Sequence, residues 1–176
     1  MIEEIVKEKM TKIPDGNWNI GVLYKKRGQG KTISGLKWLI EMADSKNADC
    51  FMYSNDTTKG GLESMINMIS KSFFNGEIKY NLIQNLIKTR SSNVYIFPDI
   101  DTISTRGISY DYAFVDEIST MKVRENQHFL VELINNSNYD SKMLIADGLS
   151  GVRHPIVDKA IVNSAFGLND KFISIG

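Results

Sequence analysis

Residues 19–32 read Asn-Ile-Gly-Val-Leu-Tyr-Lys-Lys-Arg-Gly-Gln-Gly-Lys-Thr. A short apolar run enters a glycine-bearing loop. Gly-Lys-Thr then opens an amphipathic stretch whose apolar face is Ile33, Leu36, Leu39 and Ile40. Each residue type in this strand–loop–helix order has a physical reason. Gly28 and Gly30 let main-chain N–H groups turn inward onto phosphate oxygens. The helix N-terminus adds partial positive charge. Lys31 is placed to reach the β- and γ-phosphates of a nucleotide, and the Thr32 hydroxyl to ligate Mg²⁺. The expected cradle for ATP is Gly28, Gln29, Gly30, Lys31, Thr32 and Ile33. The usual pattern is G-x-x-x-x-G-K-[ST], and Lys25 stands where its first glycine belongs. A glycine turn before a helix with a solvated lysine would share the Gly-Lys-Thr triplet. The strand before it and the helix after it separate the two readings.

Well downstream, Tyr112-Ala113-Phe114-Val115-Asp116-Glu117 is a second apolar run, ending in two carboxylates. The chain turns at a strand's end, so Asp116 is expected to face the Mg²⁺ shell and Glu117 the attacking water. Mg²⁺ takes one or two carboxylates and keeps several waters. Glu117 is the expected base for that water. Taken alone, the pair would read as an ordinary solvated strand end; the upstream loop gives it a partner.

The rest of the chain alternates strands and helices. A helical stripe runs over Ile2–Ile13, and Pro14-Asp15-Gly16 is a turn. Strands are predicted over Asn19–Tyr24, Asp49–Ser54, Tyr112–Val115, Lys142–Ala146 and Lys171–Ile175, with a small one at Ile78–Tyr80. Helices are predicted from Lys31 to about Asp44 and over Leu62–Phe74, Asn126–Asn135 and Pro155–Asn163. Asn55–Gly61 reads as a loop. Leu86–Thr89 and Val94–Pro98 read as a hairpin around Arg90-Ser91-Ser92-Asn93. This alternation predicts a three-layer α/β domain with a mostly parallel sheet.

The length, 176 residues, suits one domain, and the composition (42% hydrophobic, 24% charged) is that of an ordinary globular chain. No apolar run reaches membrane-spanning length, and the charged N-terminus is unlike a signal peptide. The single cysteine, Cys50, has no internal partner, which points to a reducing cytoplasm. With 21 basic and 21 acidic residues the net charge is zero. That argues against a general polyanion-coating protein but leaves room for a local DNA-contacting patch. His128 and His154 lack metal-ligand spacing. Asp99 and Asp101 read as a solvated loop. Trp18 and Trp38 fit core packing better than a stacked adenine.

The order of these motifs resembles the ATPase domain of viral large terminases, the motors that package double-stranded DNA into phage heads. The resemblance covers roughly residues 19–151. It rests on Lys26-Arg27-Gly28-Gln29-Gly30-Lys31-Thr32, the hairpin, and Arg106-Gly107 shortly before the acid strand. It implies a RecA/ASCE-like P-loop NTPase fold over 1–176 with an N-terminal helix at 1–14, a small hairpin insertion and no nuclease domain. It implies Mg²⁺-dependent ATP hydrolysis, with Arg27 as a cis arginine at the γ-phosphate and Arg106 as a nucleotide sensor. It further implies a homo-oligomeric ring on double-stranded DNA in the host cytoplasm. The implied partners are a portal protein and a separate nuclease or small terminase subunit. Asp147-Gly148-Leu149-Ser150-Gly151 departs from the family's usual coupling motif. Two rivals stand beside this reading: a helicase- or recombination-type P-loop motor, and a nucleotide-binding scaffold.

Overall fold

A computed structural model of the chain describes residues 10–24, 30–54, 59–97, 110–116, 140–147 and 172–175, with residues 4, 7, 8 and 158 singly. The apolar run before the glycine loop forms strand β1 (Ile20–Tyr24), and the amphipathic stretch after it forms helix α1 (Lys31–Lys46). There follow β2 (Cys50–Tyr53), α2 (Lys59–Phe73), β3 (Lys79–Asn81), β4 (Leu86–Lys88) and β5 (Asn93–Phe97). β6 (Tyr112–Val115), β7 (Lys142–Asp147) and β8 (Phe172–Ile175) complete the described elements.

The strands form one sheet in the order β3-β4-β5-β2-β6-β7-β1-β8. From β5 through β8 every pairing is parallel; β3–β4 and β4–β5 are antiparallel. Strands in a parallel sheet are covered on both faces and need continuous apolar runs. β2 is buried at every position, as are β1 and β6 except at one end. The predicted α/β class with a mostly parallel sheet is therefore what the chain adopts. The predicted hairpin is present and is joined by β3 into a three-stranded meander at one edge. The helices predicted at 126–135 and 155–163 lie outside the described residues, apart from Asp158, which is helical.

Both α1 and α2 pack on one face of the sheet. Leu36, Leu39 and Ile40 of α1 and Leu62, Ile66 and Ile69 of α2 share a core with Leu23, Met52, Ile96, Phe114 and Leu144. α2 starts three residues before the predicted Leu62, so Lys59-Gly60-Gly61 belongs to its first turn rather than to a loop. Glycine weakens a helix, which made these residues read as loop; the buried stripe from Leu62 onward carries the helix regardless. The N-terminal stripe departs in the other direction. Glu4, Lys7 and Glu8 are helical, but the chain is no longer helical at Met10. Pro14 disfavours helical geometry at Ile13.

The meander is tied to the far end of α1. Arg90, in the β4–β5 turn, gives its main-chain N–H to Asp44 Oδ1 at 3.0 Å and pairs through its guanidinium with both Asp44 oxygens. Ser91 Oγ donates to the Asp44 carbonyl and Ser92 Oγ to the Ala43 carbonyl, at 2.5 and 2.7 Å. These hydroxyls satisfy carbonyls that a helix C-terminus leaves without intrahelical partners.

Candidate phosphate-binding site

The site is assembled at the edge of the sheet where the parallel strands end. Gly30 closes the loop after β1 with φ 77° and ψ 24°, a left-handed conformation that favours glycine. The ladder of α1 begins with the Ser34 N–H donating to the Gly30 carbonyl at 3.0 Å. The main-chain N–H groups of Lys31, Thr32 and Ile33 thus fall in the first turn, outside that ladder, where an anion is favoured. Ile33 can serve a ligand only through its main chain, because its side chain is buried in the core. Lys31 is buried, 5% exposed.

Asp116 follows β6 and is also 5% exposed. Its main-chain N–H donates to the Tyr53 carbonyl of β2 at 3.0 Å, which fixes the strand end. The Thr32 hydroxyl lies 3.0 Å from Asp116 Oδ1 and 3.2 Å from Oδ2. The two residues that sequence reasoning assigned to Mg²⁺ are therefore in direct contact. A hydroxyl and a carboxylate at a helix N-terminus fit this hard cation, which completes its shell with water and substrate phosphates. Among the described residues no group of three or more His, Cys, Asp or Glu could hold a metal ion.

Two residues in the first turns of α1 were passed over by sequence reasoning. Gly35 lies one turn after Thr32, and a Cβ there would fall 2.2 Å from Phe114 Cε2. The bare backbone lets α1 settle onto β6, with Phe114 fully buried beneath it. A glycine inside a helical pattern was the available signal. Ser34 is the other. Its hydroxyl donates to the Gly30 carbonyl at 2.6 Å and accepts the Thr11 N–H at 2.9 Å, tying the N-terminal segment to the loop.

β7 lies between β1 and β6 and ends at the same edge. Its last residue, Asp147, is 1% exposed and pairs in register with Tyr24. Arg27, Gly28, Gln29, Arg106 and Glu117 lie outside the described residues, as do His128, His154, Asp99 and Asp101. Trp18 and Trp38 are core residues, 5.9 Å apart between ring centroids. They line a cavity of about 590 Å³ with Tyr112 and Lys142 at the opposite edge of the sheet. That cavity is remote from Thr32 and Asp116, so neither tryptophan is an adenine platform at this site.

A parallel sheet with a strand inserted between β1 and the acid strand, and a threonine–aspartate contact at the helix N-terminus, gives the chain a RecA/ASCE-like fold. No family model matches the sequence, and no curated protein does. Solved structures do match. The large terminase of a thermophilic bacteriophage has a TM-score of 0.59 at 17% identity, over 92% of this chain and 41% of that one. A chain of the bacteriophage Phi-29 viral genome packaging motor assembly has a TM-score of 0.59 at 10% identity, over 79% of this chain and 46% of that one. At such identities the likeness establishes the fold, and the chain spans less than half the length of either protein. Among the described residues no helix is long and apolar enough to cross a membrane.

Proposed function

We propose that the chain is a Mg²⁺-dependent ATPase that drives double-stranded DNA into a viral procapsid. The observation that carries this reading is the Thr32–Asp116 contact at the N-terminus of α1. The fold shared with two phage packaging proteins supports it. Lys31 and the main-chain N–H groups of residues 28–33 bind the phosphates. Thr32 and Asp116 hold Mg²⁺, which offsets charge on the β- and γ-phosphoryl oxygens when bound.

Glu117 positions a water and takes its proton as the water oxygen bonds to the γ-phosphorus. The bond from that phosphorus to the β–γ bridging oxygen breaks, and ADP leaves with the electron pair. Arg27 in cis, with an arginine from a neighbouring subunit, stabilises the charge on the transferring group. Arg106 senses the nucleotide, and Asp147 occupies the place of the coupling motif. The chain works as a homo-oligomeric ring in the host cytoplasm, with a portal protein and a separate nuclease or small terminase subunit.

The test is ATP turnover with and without duplex DNA, compared with Lys31→Ala. The expected result is DNA-stimulated multiple turnover that the substitution abolishes. Equal turnover in both proteins would overturn the site assignment. Turnover that ignores DNA would overturn the packaging assignment alone. Glu117→Gln under single-turnover conditions isolates the role of that carboxylate.

A further inference from the structure

The β3–β4–β5 meander has an inner and an outer face. Tyr80, Ile87 and Val94 form a row across its three strands and pack inward. The outer face carries two rows, Lys79–Lys88–Asn93 and Asn81–Leu86–Tyr95. Lys79 and Lys88 are directly opposite and both exposed. Such a pair has Cβ atoms about 5 Å apart, and like charges there destabilise the ladder. A lysine on β3 alone would guard the open edge of the sheet against pairing with another chain. Lys88 lies on β4, which is paired on both sides, so edge protection does not account for it.

Among the described residues no acidic side chain pairs with either lysine. Residues 78–98 contain no Asp or Glu. The third basic residue of the stretch, Arg90, is engaged by Asp44 and Glu77. Tyr95 stands on the same face, 53% exposed. With Ile83 at the tip of the meander, it is one of two exposed large apolar side chains among the described residues.

We infer that the outer face of the meander, through Lys79, Lys88 and Tyr95, contacts the phosphate backbone of duplex DNA. The inference rests on the motor reading above. A chain of zero net charge must meet a polyanion with a local patch. An extended row of phosphates supplies a countercharge to the two lysines, and lysine contacts to phosphate carry no sequence preference. The tyrosine adds a hydroxyl donor of the kind used on phosphate oxygens. β2, β6 and β7 separate the meander from β1, so DNA on this face leaves the phosphate loop open.

The experiment is anisotropy of two labelled duplexes of unrelated sequence across a salt series. The full chain is compared with Lys79→Gln/Lys88→Gln and with Tyr95→Ala, alongside DNA-independent ATP turnover and sedimentation velocity. The double variant should weaken binding by about 10-fold or more, equally for both duplexes. The slope of log K against log salt should shrink by about 2, near 0.9 per lost phosphate contact. Tyr95→Ala should weaken both duplexes alike, and DNA-independent turnover should hold in all three proteins. Unchanged affinity and slope in the double variant, with wild type binding well, would overturn the surface and leave the motor reading intact. A wild-type chain that binds no duplex would overturn both. Loss of self-association with unchanged DNA affinity would assign the face to subunit contact and overturn the inference.

Discussion

Thr32 Oγ1 and Asp116 Oδ1 stand 3.0 Å apart, although their strands are not neighbours and β7 runs between them. The contact exists because α1 leaves the end of β1, crosses the face of the sheet and settles on β6. It supplies the first prediction. Asp116→Asn and Thr32→Ala should each raise the Mg²⁺ concentration that half-saturates ATP turnover by about 10- to 100-fold, the scale seen when groups around a metal are lost. A Mg²⁺ titration at fixed ATP measures it. Wild-type half-saturation in both variants would remove these residues from the metal.

Gly35→Ala should disturb the same contact from below. Its new methyl group meets the Phe114 ring at 2.2 Å, and Phe114 is fully buried. Overpacking of this kind costs about 1–3 kcal/mol. Urea unfolding should show that loss, and ATP turnover should fall further than the fraction of folded protein does. A variant as stable and as active as wild type would mean that the close approach does not set the site.

The Asp44–Arg90 pair gives a pH prediction. Hydrogen bonds from the Arg90 side chain hold the Asp44 carboxyl below the ordinary carboxylate value, against the opposing effect of burial. A carboxyl with a depressed folded pKa stabilises the fold fully above the unfolded value, about 3.9. The contribution is lost as pH falls through the lower, folded value. Urea midpoints measured from pH 6 to pH 3 should therefore fall less steeply at the acid end for Asp44→Asn than for wild type. Parallel curves would show that the pair adds no acid-side dependence.

Burial, and secondarily the charges of Asp111 and Asp49, push the Cys50 thiol up to about 12. At pH 8 roughly one thiol in 10⁴ is then the reactive thiolate. Iodoacetamide should leave the native chain unlabelled over hours and modify it rapidly in denaturant. Fast native labelling would place Cys50 outside the core.

Much of the local structure was legible in the sequence, because it follows from apolar period and from glycine. The run Ile20–Tyr24 before Gly30-Lys31-Thr32 marked β1 and α1, and Tyr112–Val115 marked the acid strand. The pairing of Thr32 with Asp116 followed from their shared demand for one cation. The sheet order was not legible: β7 enters between β1 and β6 through contacts that no short-range pattern encodes. Gly35 gave a signal, a glycine where alanine would favour a helix, but its reason is a ring on a strand distant in sequence. The Arg90–Asp44 clamp gave none, since an arginine in a hairpin turn reads as solvated until its partner is placed.

α1 is held to the sheet at three stations. Thr32 meets Asp116 at its start, Gly35 lies on Phe114 one turn later, and Asp44 is gripped by the Arg90 turn near its end. Its 16 residues span about 24 Å, and an attachment near each end leaves no pivot about which the helix can swing. It behaves as a strut. On the reading proposed above, a nucleotide bound at its N-terminus would meet a helix already fixed against the sheet.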